Sequence, residues 1–237
     1  MSDARPIIRL QNVTKTFTSK SEDVTPLENL DLDVEKGAFV ALMGPSGSGK
    51  TTLLHLLAGI DQPTHGVIDV GGTVVSSLGR RALARWRNQE VGFVFQQYNL
   101  VPVLTARENV ELPLLLTRLS KGERARKVDV ALDAVGLLDR ATHLPREMSG
   151  GQQQRVAVAR AIVAGPTLLL ADEPTGNLDE VSAQRVLELL RALHERFGLT
   201  LVMVTHDPRA AAFAERVIHL DKGTVTSDDT KPKEVHA

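Results

Sequence analysis

Cysteine is absent from the 237 residues, which excludes disulfides, thiol catalysis and Cys-ligated zinc. Aromatic residues make up only 3%, too few for the stacking platforms that RNA and single-stranded DNA binders present. An excess of either charge is missing as well. Lys+Arg 28 against Asp+Glu 29 leaves a net charge of -1, without the basic surplus of a dedicated nucleic-acid binder, so no direct nucleic-acid partner is expected. No apolar run approaches the roughly 18–20 residues that cross a bilayer. The start, Met-Ser-Asp-Ala-Arg, lacks the apolar core of a signal peptide, and a cytosolic location is expected. What is present, 42% hydrophobic and 24% charged residues, is ordinary globular composition. The length suits one large domain, or one domain carrying an insertion.

Along the chain, Ile7 to Val13 and Leu30 to Val34 mix apolar and polar residues as half-buried strands do, with a polar loop over Thr18 to Pro26. Ala38 to Met43 is a continuous apolar run, suited to a buried parallel strand, and it leads into a glycine-rich turn. Thr51 to Ile60 has helical spacing, and Gly66 to Val75 returns to β-type residues. Ala106 to Ala164 favours helices, with breaks near Ser120 to Gly122 and Thr142 to Ser149. Leu168 to Ala171 and Leu199 to Thr205 read as further buried strands flanking an amphipathic helix, Val181 to Phe197. A hairpin over His219 to Thr226 closes the pattern, followed by a polar tail over 227–237. Strand–helix alternation with one inserted helical block predicts an α/β parallel-sheet core plus a helical subdomain.

Gly44-Pro45-Ser46-Gly47-Ser48-Gly49-Lys50-Thr51 matches the P-loop pattern between a predicted strand and a predicted helix. Glycines let successive main-chain N–H groups face phosphate oxygens, and the helix N-terminus adds its dipole. Lys50 supplies a point charge to the β- and γ-phosphates, and Thr51 a hydroxyl to Mg²⁺. A chance glycine-rich turn would not be expected to sit between those two elements. By itself the loop leaves GTPases, kinases, helicases and transport ATPases open. Leu168 to Ala171, ending in Asp172-Glu173, adds a second acidic element. Asp172 fits a Walker-B carboxylate holding Mg²⁺ through water, and Glu173 a general base for the attacking water. The competing reading is a surface pair capping the next helix.

Met148-Ser149-Gly150-Gly151-Gln152 precedes a helix expected to start near Gln153, and Ser149-Gly150-Gly151 there forms a second anion-binding nest. One chain needs two nests only if a second chain shares the nucleotide. With this motif the sequence resembles the ATP-binding subunits of ABC transporters, whose signature is Leu-Ser-Gly-Gly-Gln; Met148 replaces the leucine. The resemblance runs from about Ile7 to Thr226 and keeps the family's motif order. It implies an ABC ATPase fold over 6–226, with a RecA-like parallel-sheet core (6–95 and 166–226), an N-terminal antiparallel β subdomain and a helical subdomain near 97–165.

The same resemblance implies ATP and Mg²⁺ as ligands, and a role for each matching residue. Nucleotide contacts fall to Gly44 through Thr51, to Thr52, and to Ser149, Gly150, Gly151 and Gln152. Gln96 matches the Q-loop glutamine that contacts Mg²⁺ and responds to the γ-phosphate. Asp179 lies in Asn177-Leu178-Asp179, like the D-loop that crosses the dimer interface. His206 matches the switch histidine, which acts on the γ-phosphate with Lys50 and Glu173. Phe17 occupies the place of the aromatic that stacks on adenine; its alternative is a plain core phenylalanine.

The segments Gly92 to Leu100, Leu104 to Val110 and Leu170 to Asp179 look most like one branch of the family. That branch includes ATPases of macrolide exporters, lipoprotein-release systems, antimicrobial-peptide transporters and the cell-division system. The branch implies a homodimer on the cytoplasmic face of the plasma membrane, driving a separate permease with an extracytoplasmic domain. The alternative is a soluble non-transport ABC ATPase of DNA repair or translation, whose usual second cassette, long coiled coil or basic extension is not found here. Apolar residues between Tyr98 and Leu116, interrupted by Pro102 and Pro113, suit either a subdomain core or a groove for a short permease helix.

Overall fold

The computed structural model describes residues 5–18 and 22–230. Two sheets organise the chain. β1 (Ile8–Phe17) pairs antiparallel with β2 (Val24–Val34), so Val24 to Pro26 belong to a strand and not to the expected loop. β3 (Phe39–Met43) then enters the second sheet and α1 (Lys50–Leu57) follows the glycine-rich turn. β4 (His65–Val70) and β5 (Thr73–Val74) complete the first sheet in the order β2-β1-β4-β5, all antiparallel.

α2 (Arg80–Glu90) was not expected from the sequence, because among its charged residues only Leu83 and Trp86 are buried. It delivers the chain to β6 (Val91–Val94). The helical block holds α3 (Ala106–Glu111), α4 (Lys121–Ala134) and α5 (Gly150–Ile162). Thr105, Ser120 and Ser149 start them with capping boxes, each closed by a Glu or Gln three residues on. Ser149 as N-cap moves the start of α5 to Gly150, three residues before the expected start, so the two nest glycines form its first turn.

The chain returns through β7 (Leu168–Asp172), α6 (Glu180–Phe197), β8 (Thr200–Val204), α7 (Pro208–Ala211), β9 (Arg216–Asp221) and β10 (Thr224–Thr230). The second sheet has the order β10-β9-β3-β8-β7-β6, parallel except for β10. β10 runs four residues past the expected hairpin end, into the stretch read as tail. Arg216 holds it with a two-pronged bond to Asp228, 2.7 and 2.6 Å. The rest of that tail, 231–237, lies outside the described residues, as do 19–21 of the polar loop.

The central parallel strands β3, β7 and β8 are almost wholly apolar because both faces are covered. Phe39, Ala41, Leu169, Ala171, Leu201 and Met203 pack toward the helical block. Val40, Leu42, Leu168, Leu170, Val202 and Val204 pack toward α1 and the antiparallel sheet. In register, Leu42 and Asp172 both flank Val204, and Val94 lies beside Ala171. Four neighbouring strands therefore end at one level, and the loops leaving those ends carry the chemistry-bearing residues. Among the described residues no helix is long and apolar enough to cross a membrane.

Candidate functional site

A cleft of about 650 Å³ lies where the two sheets meet, lined by Gly44 to Thr52 together with Phe17, Val24, Pro26, Glu173, Val204 and His206. Its floor is the loop between β3 and α1. At Gly49 (φ 97°) a Cβ would stand 2.2 Å from the Pro26 carbonyl oxygen, so only glycine lets the first sheet approach the phosphate loop this closely. The β9–β10 turn braces the loop from another side, Gly223 N donating to Ser48 O at 3.2 Å.

Lys50 is buried, its Nζ donating to the carbonyls of Gly44 (2.8 Å) and Pro45 (2.7 Å) and to Ser48 Oγ (3.2 Å). Burial lowers its pKa, and the nearby Glu173 and Asp172 carboxylates oppose that shift. Thr51 Oγ1 donates to Asp172 Oδ1 at 3.2 Å, across a separation of 121 residues in sequence. Burial raises the pKa of Asp172, against the Thr51 bond, which lowers it. This hydroxyl–carboxylate pair is oxygen-only, hard and already in mutual reach, the donor chemistry Mg²⁺ prefers. The described residues hold no cluster of three or more His, Cys, Asp or Glu side chains that could bind a metal alone, so a cation here would need further oxygen donors from neutral side chains, phosphate or water.

Glu173 follows directly with φ 47°, a left-handed conformation costly for a non-glycine residue and frequent at functional sites. Its N–H donates to Val204 O (3.0 Å), and Oε1 accepts from His206 Nδ1 at 2.8 Å. The glutamate is mostly buried while the imidazole is 72% exposed. The hydrogen bond that His206 donates to Glu173, and that carboxylate's charge, raise the pKa of His206.

Phe17 is 46% exposed at the cleft mouth, which removes the core-phenylalanine reading. Lys15 Nζ lies 4.7 Å from its ring centroid and is itself held by Asp61 Oδ1 (2.8 Å) and the Gln62 carbonyl (2.9 Å). Gln96 leaves the end of β6 beside the Asp172–Glu173 loop. Its carbonyl accepts from Asn177 Nδ2 at 3.1 Å, and its Nε2 lies 2.9 Å from where a Cβ on Gly176 would stand.

The remaining candidates lie apart from the cleft. Ser149, Gly150, Gly151 and Gln152 form the start of α5, with Ser149 exposed and none of the four among the cleft-lining residues. Asp179 is the N-cap of α6, its Oδ1 accepting from Ser182 N at 2.9 Å, a bond that lowers its pKa. Gln154 escaped the sequence reading. Wholly buried, its Nε2 donates to the carbonyls of Pro174 (2.7 Å) and Phe95 (3.3 Å), which ties α5 to both loops beside the cleft. Its Oε1 is buried without a partner. A lone glutamine in a helix start gives no sequence signal of that kind.

A phosphate loop after a parallel strand, a hydroxyl–carboxylate pair beside it and a glutamate–histidine pair above it define a P-loop nucleoside triphosphatase. The ABC transporter family matches residues 27–176, and the chain belongs to that family as an ATP-binding, ATP-hydrolysing subunit. It is 45% identical over 222 residues to the lipoprotein-releasing system ATP-binding protein LolD of Geobacter metallireducens, covering 94% of this chain and 99% of that one. It is 46% identical over 224 residues to the macrolide export ATP-binding/permease protein MacB of Marinobacter nauticus, covering 94% of this chain but 35% of that longer one. Among solved structures it resembles the cassette MJ0796, described as a dimer in a post-hydrolysis state bound to ADP and Pi. The TM-score is 0.87 at 42% identity, over 96% of this chain and 100% of that one.

Proposed function

We propose that this chain is the motor of a lipoprotein-release, macrolide-export or peptide-export type of transporter, working as an ATP-driven homodimer on the cytoplasmic face of the plasma membrane. The observation that carries the reading is the Glu173–His206 pair, set at 2.8 Å over the phosphate loop. Phe17 would face the adenine and the Gly44–Thr52 main chain the phosphates, with Lys50 compensating their charge. Thr51, Asp172 and Gln96 would hold Mg²⁺, which supplies charge neutralisation at the β- and γ-oxygens. Glu173 takes the proton of the attacking water as the bond to the γ-phosphorus forms and the β–γ bridge bond breaks; ADP leaves with its electrons. His206, whose pKa the bond to Glu173 raises, would hold the γ-phosphate by a hydrogen bond and the carboxylate in its orientation.

The dimer follows from the exposed Ser149 nest, which stands apart from its own cleft. A second copy, head to tail, would bring it over the γ-phosphate, with Asp179 near the seam. Glu173→Gln keeps size and shape while removing the base, so it should accumulate as an MgATP-bound dimer on size-exclusion chromatography at micromolar concentration. A mutant that remains monomeric there counts against the assembly. For the membrane partner, the support is a shallow cavity of about 290 Å³ lined by Arg87, Phe93, Pro113, Leu116 and Arg160 among others. Leu116 in its lining, and Val103 in the same segment after β6, are each 78% exposed, apolar surface of the kind a short permease helix would cover. The permease would carry the extracytoplasmic domain, moved when the dimer closes.

A further inference from the structure

Phe17 meets the cleft on one side and a largely buried cation on the other. The ring lines the cleft and is 46% exposed, whereas Lys15, two residues earlier on β1, is absent from the lining. Lys15 Nζ stands over the ring, 4.7 Å from its centroid, within the range of a cation–π contact. That ammonium is held in place. Only 12% of the Lys15 side chain is exposed, and its Nζ donates to Asp61 Oδ1 (2.8 Å) and the Gln62 carbonyl (2.9 Å). Asp61 Oδ1 also accepts from Gln62 N at 2.7 Å. Burial acts to raise the pKa of Asp61, but the bonds from Lys15 and Gln62 outweigh it and hold the carboxyl below its ordinary value.

Asp61 belongs to the segment that leaves α1, where the N–H groups of Ile60 and Asp61 still donate to the His55 carbonyl (2.9 and 3.3 Å). Three residues on, Thr64 N donates to Thr14 O (2.8 Å), and Thr64 Oγ1 accepts from Thr16 N (2.9 Å). Thr14, Lys15 and Thr16 are thus each bonded to one segment, and that segment continues the helix whose first residue is Lys50. We propose that Lys15 is a positioning residue for the nucleobase, acting through Phe17. It rests on the reading that Phe17 faces the adenine. An exposed phenylalanine with nothing at its back must be ordered when the base arrives. The anchored ammonium attracts the π-face and sets the ring plane beforehand, which removes that cost. It also draws π-density toward itself, so the face offered to the base is less negative. Parallel aromatic faces repel through their like quadrupoles, and this lessens the repulsion. Through Asp61 the base platform is tied to α1, and the span between base and phosphates is set by one helix.

The test compares MgADP with magnesium pyrophosphate, which keeps the phosphates and lacks the base. Each displaces a fluorescent ADP analogue from the full chain, corrected for each variant's own affinity for the analogue. Neither ligand carries a γ-phosphate, so binding is read without hydrolysis. Lys15→Met should weaken MgADP by roughly 3-fold or more, the worth of ordering one side chain in advance, and leave pyrophosphate affinity unchanged. Lys15→Gln, which keeps an N–H donor for Asp61 but no charge, should lose the same factor. Lys15→Arg keeps a cation able to stack on the ring and should bind MgADP as the wild type does. In a Phe17→Ala chain, Lys15→Met should add nothing, because the ring it acts through is gone. The proposal is overturned if Lys15→Gln binds MgADP as tightly as the wild type, or if pyrophosphate weakens by the same factor. It is overturned too if Lys15→Arg is as weak as Lys15→Gln, or if the losses at Lys15 and Phe17 add. A Phe17→Ala chain with wild-type MgADP affinity would instead sink the adenine reading, and the role of Lys15 with it.

Discussion

At the residue scale the site rests on polar contacts that neighbours in sequence cannot make. The bond between His206 and Glu173 raises the pKa of an imidazole that would otherwise titrate near 6.5. A raised folded-state pKa means the pair's stabilisation is complete below the unfolded value, about 6.5, and fades as pH climbs through the folded value. Exposure of His206 keeps that contribution small, so the measurable consequence is the titration itself. In an NMR titration of histidine ring protons, His206 should have a midpoint above an ordinary exposed histidine, and Glu173→Gln should return it toward 6.5. An unmoved midpoint in the mutant would remove Glu173 as the cause. Gln154 shows the same reach across the chain: its amide serves two loops that the sequence separates by about eighty positions.

At the element scale, the segment after β6 divides between core and surface. Ala106, Val110 and Leu114 are fully buried and Leu100 packs against the same core, whereas Val103, Leu115 and Leu116 face outward. Of the two residues offered for a docking groove, Val103 is therefore exposed and Leu100 packs against the core. Val103→Glu should leave the ATPase rate of the isolated subunit and its urea midpoint near wild type while abolishing stimulation by the permease. Leu100→Glu should lower the urea midpoint by an amount worth about 1–3 kcal/mol, the cost of burying a polar group in place of an apolar one. Equal loss of stability in both variants would make Val103 a packing residue and move the docking surface elsewhere.

For the whole molecule, the cleft draws Phe17 and Pro26 from one sheet and the phosphate loop from the other. Nucleotide should therefore stabilise the joint between the sheets and not one element alone. Binding to the native state alone is worth about 2.7 kcal/mol at a hundred times Kd. For a chain of this size that raises Tm by roughly 5–11 °C, at about 2–4 °C per kcal/mol. Thermal unfolding with and without MgATP should show this rise for the wild type and none for Lys50→Ala, which loses the charge that compensates phosphate. A full MgATP shift in Lys50→Ala would displace the lysine from its role.

The sequence by itself determined the elements whose signal is local. The apolar runs Ala38 to Met43, leading into Gly44, and Leu168 to Ala171, leading into Asp172, read as buried strands running into loops. Capping residues such as Ser149 mark a helix start, although the glycines that follow it led to a start three residues late. Where the signal was weak, local reading failed. α2 offers only Leu83 and Trp86 as large apolar anchors among its polar residues, and Ser227 to Thr230 look like tail until Arg216 binds Asp228. Only the tertiary structure decided which groups meet. Strand register brings Thr51 to Asp172 and Glu173 to His206, and it leaves the Ser149 nest outside their cleft. The left-handed conformation at Tyr98 was equally out of reach: asparagine, as at Asn99, adopts that region readily, whereas tyrosine gives no such signal. Arg160 from another element bonds both carbonyls, and a contact between elements is a property of packing, which no stretch of sequence contains.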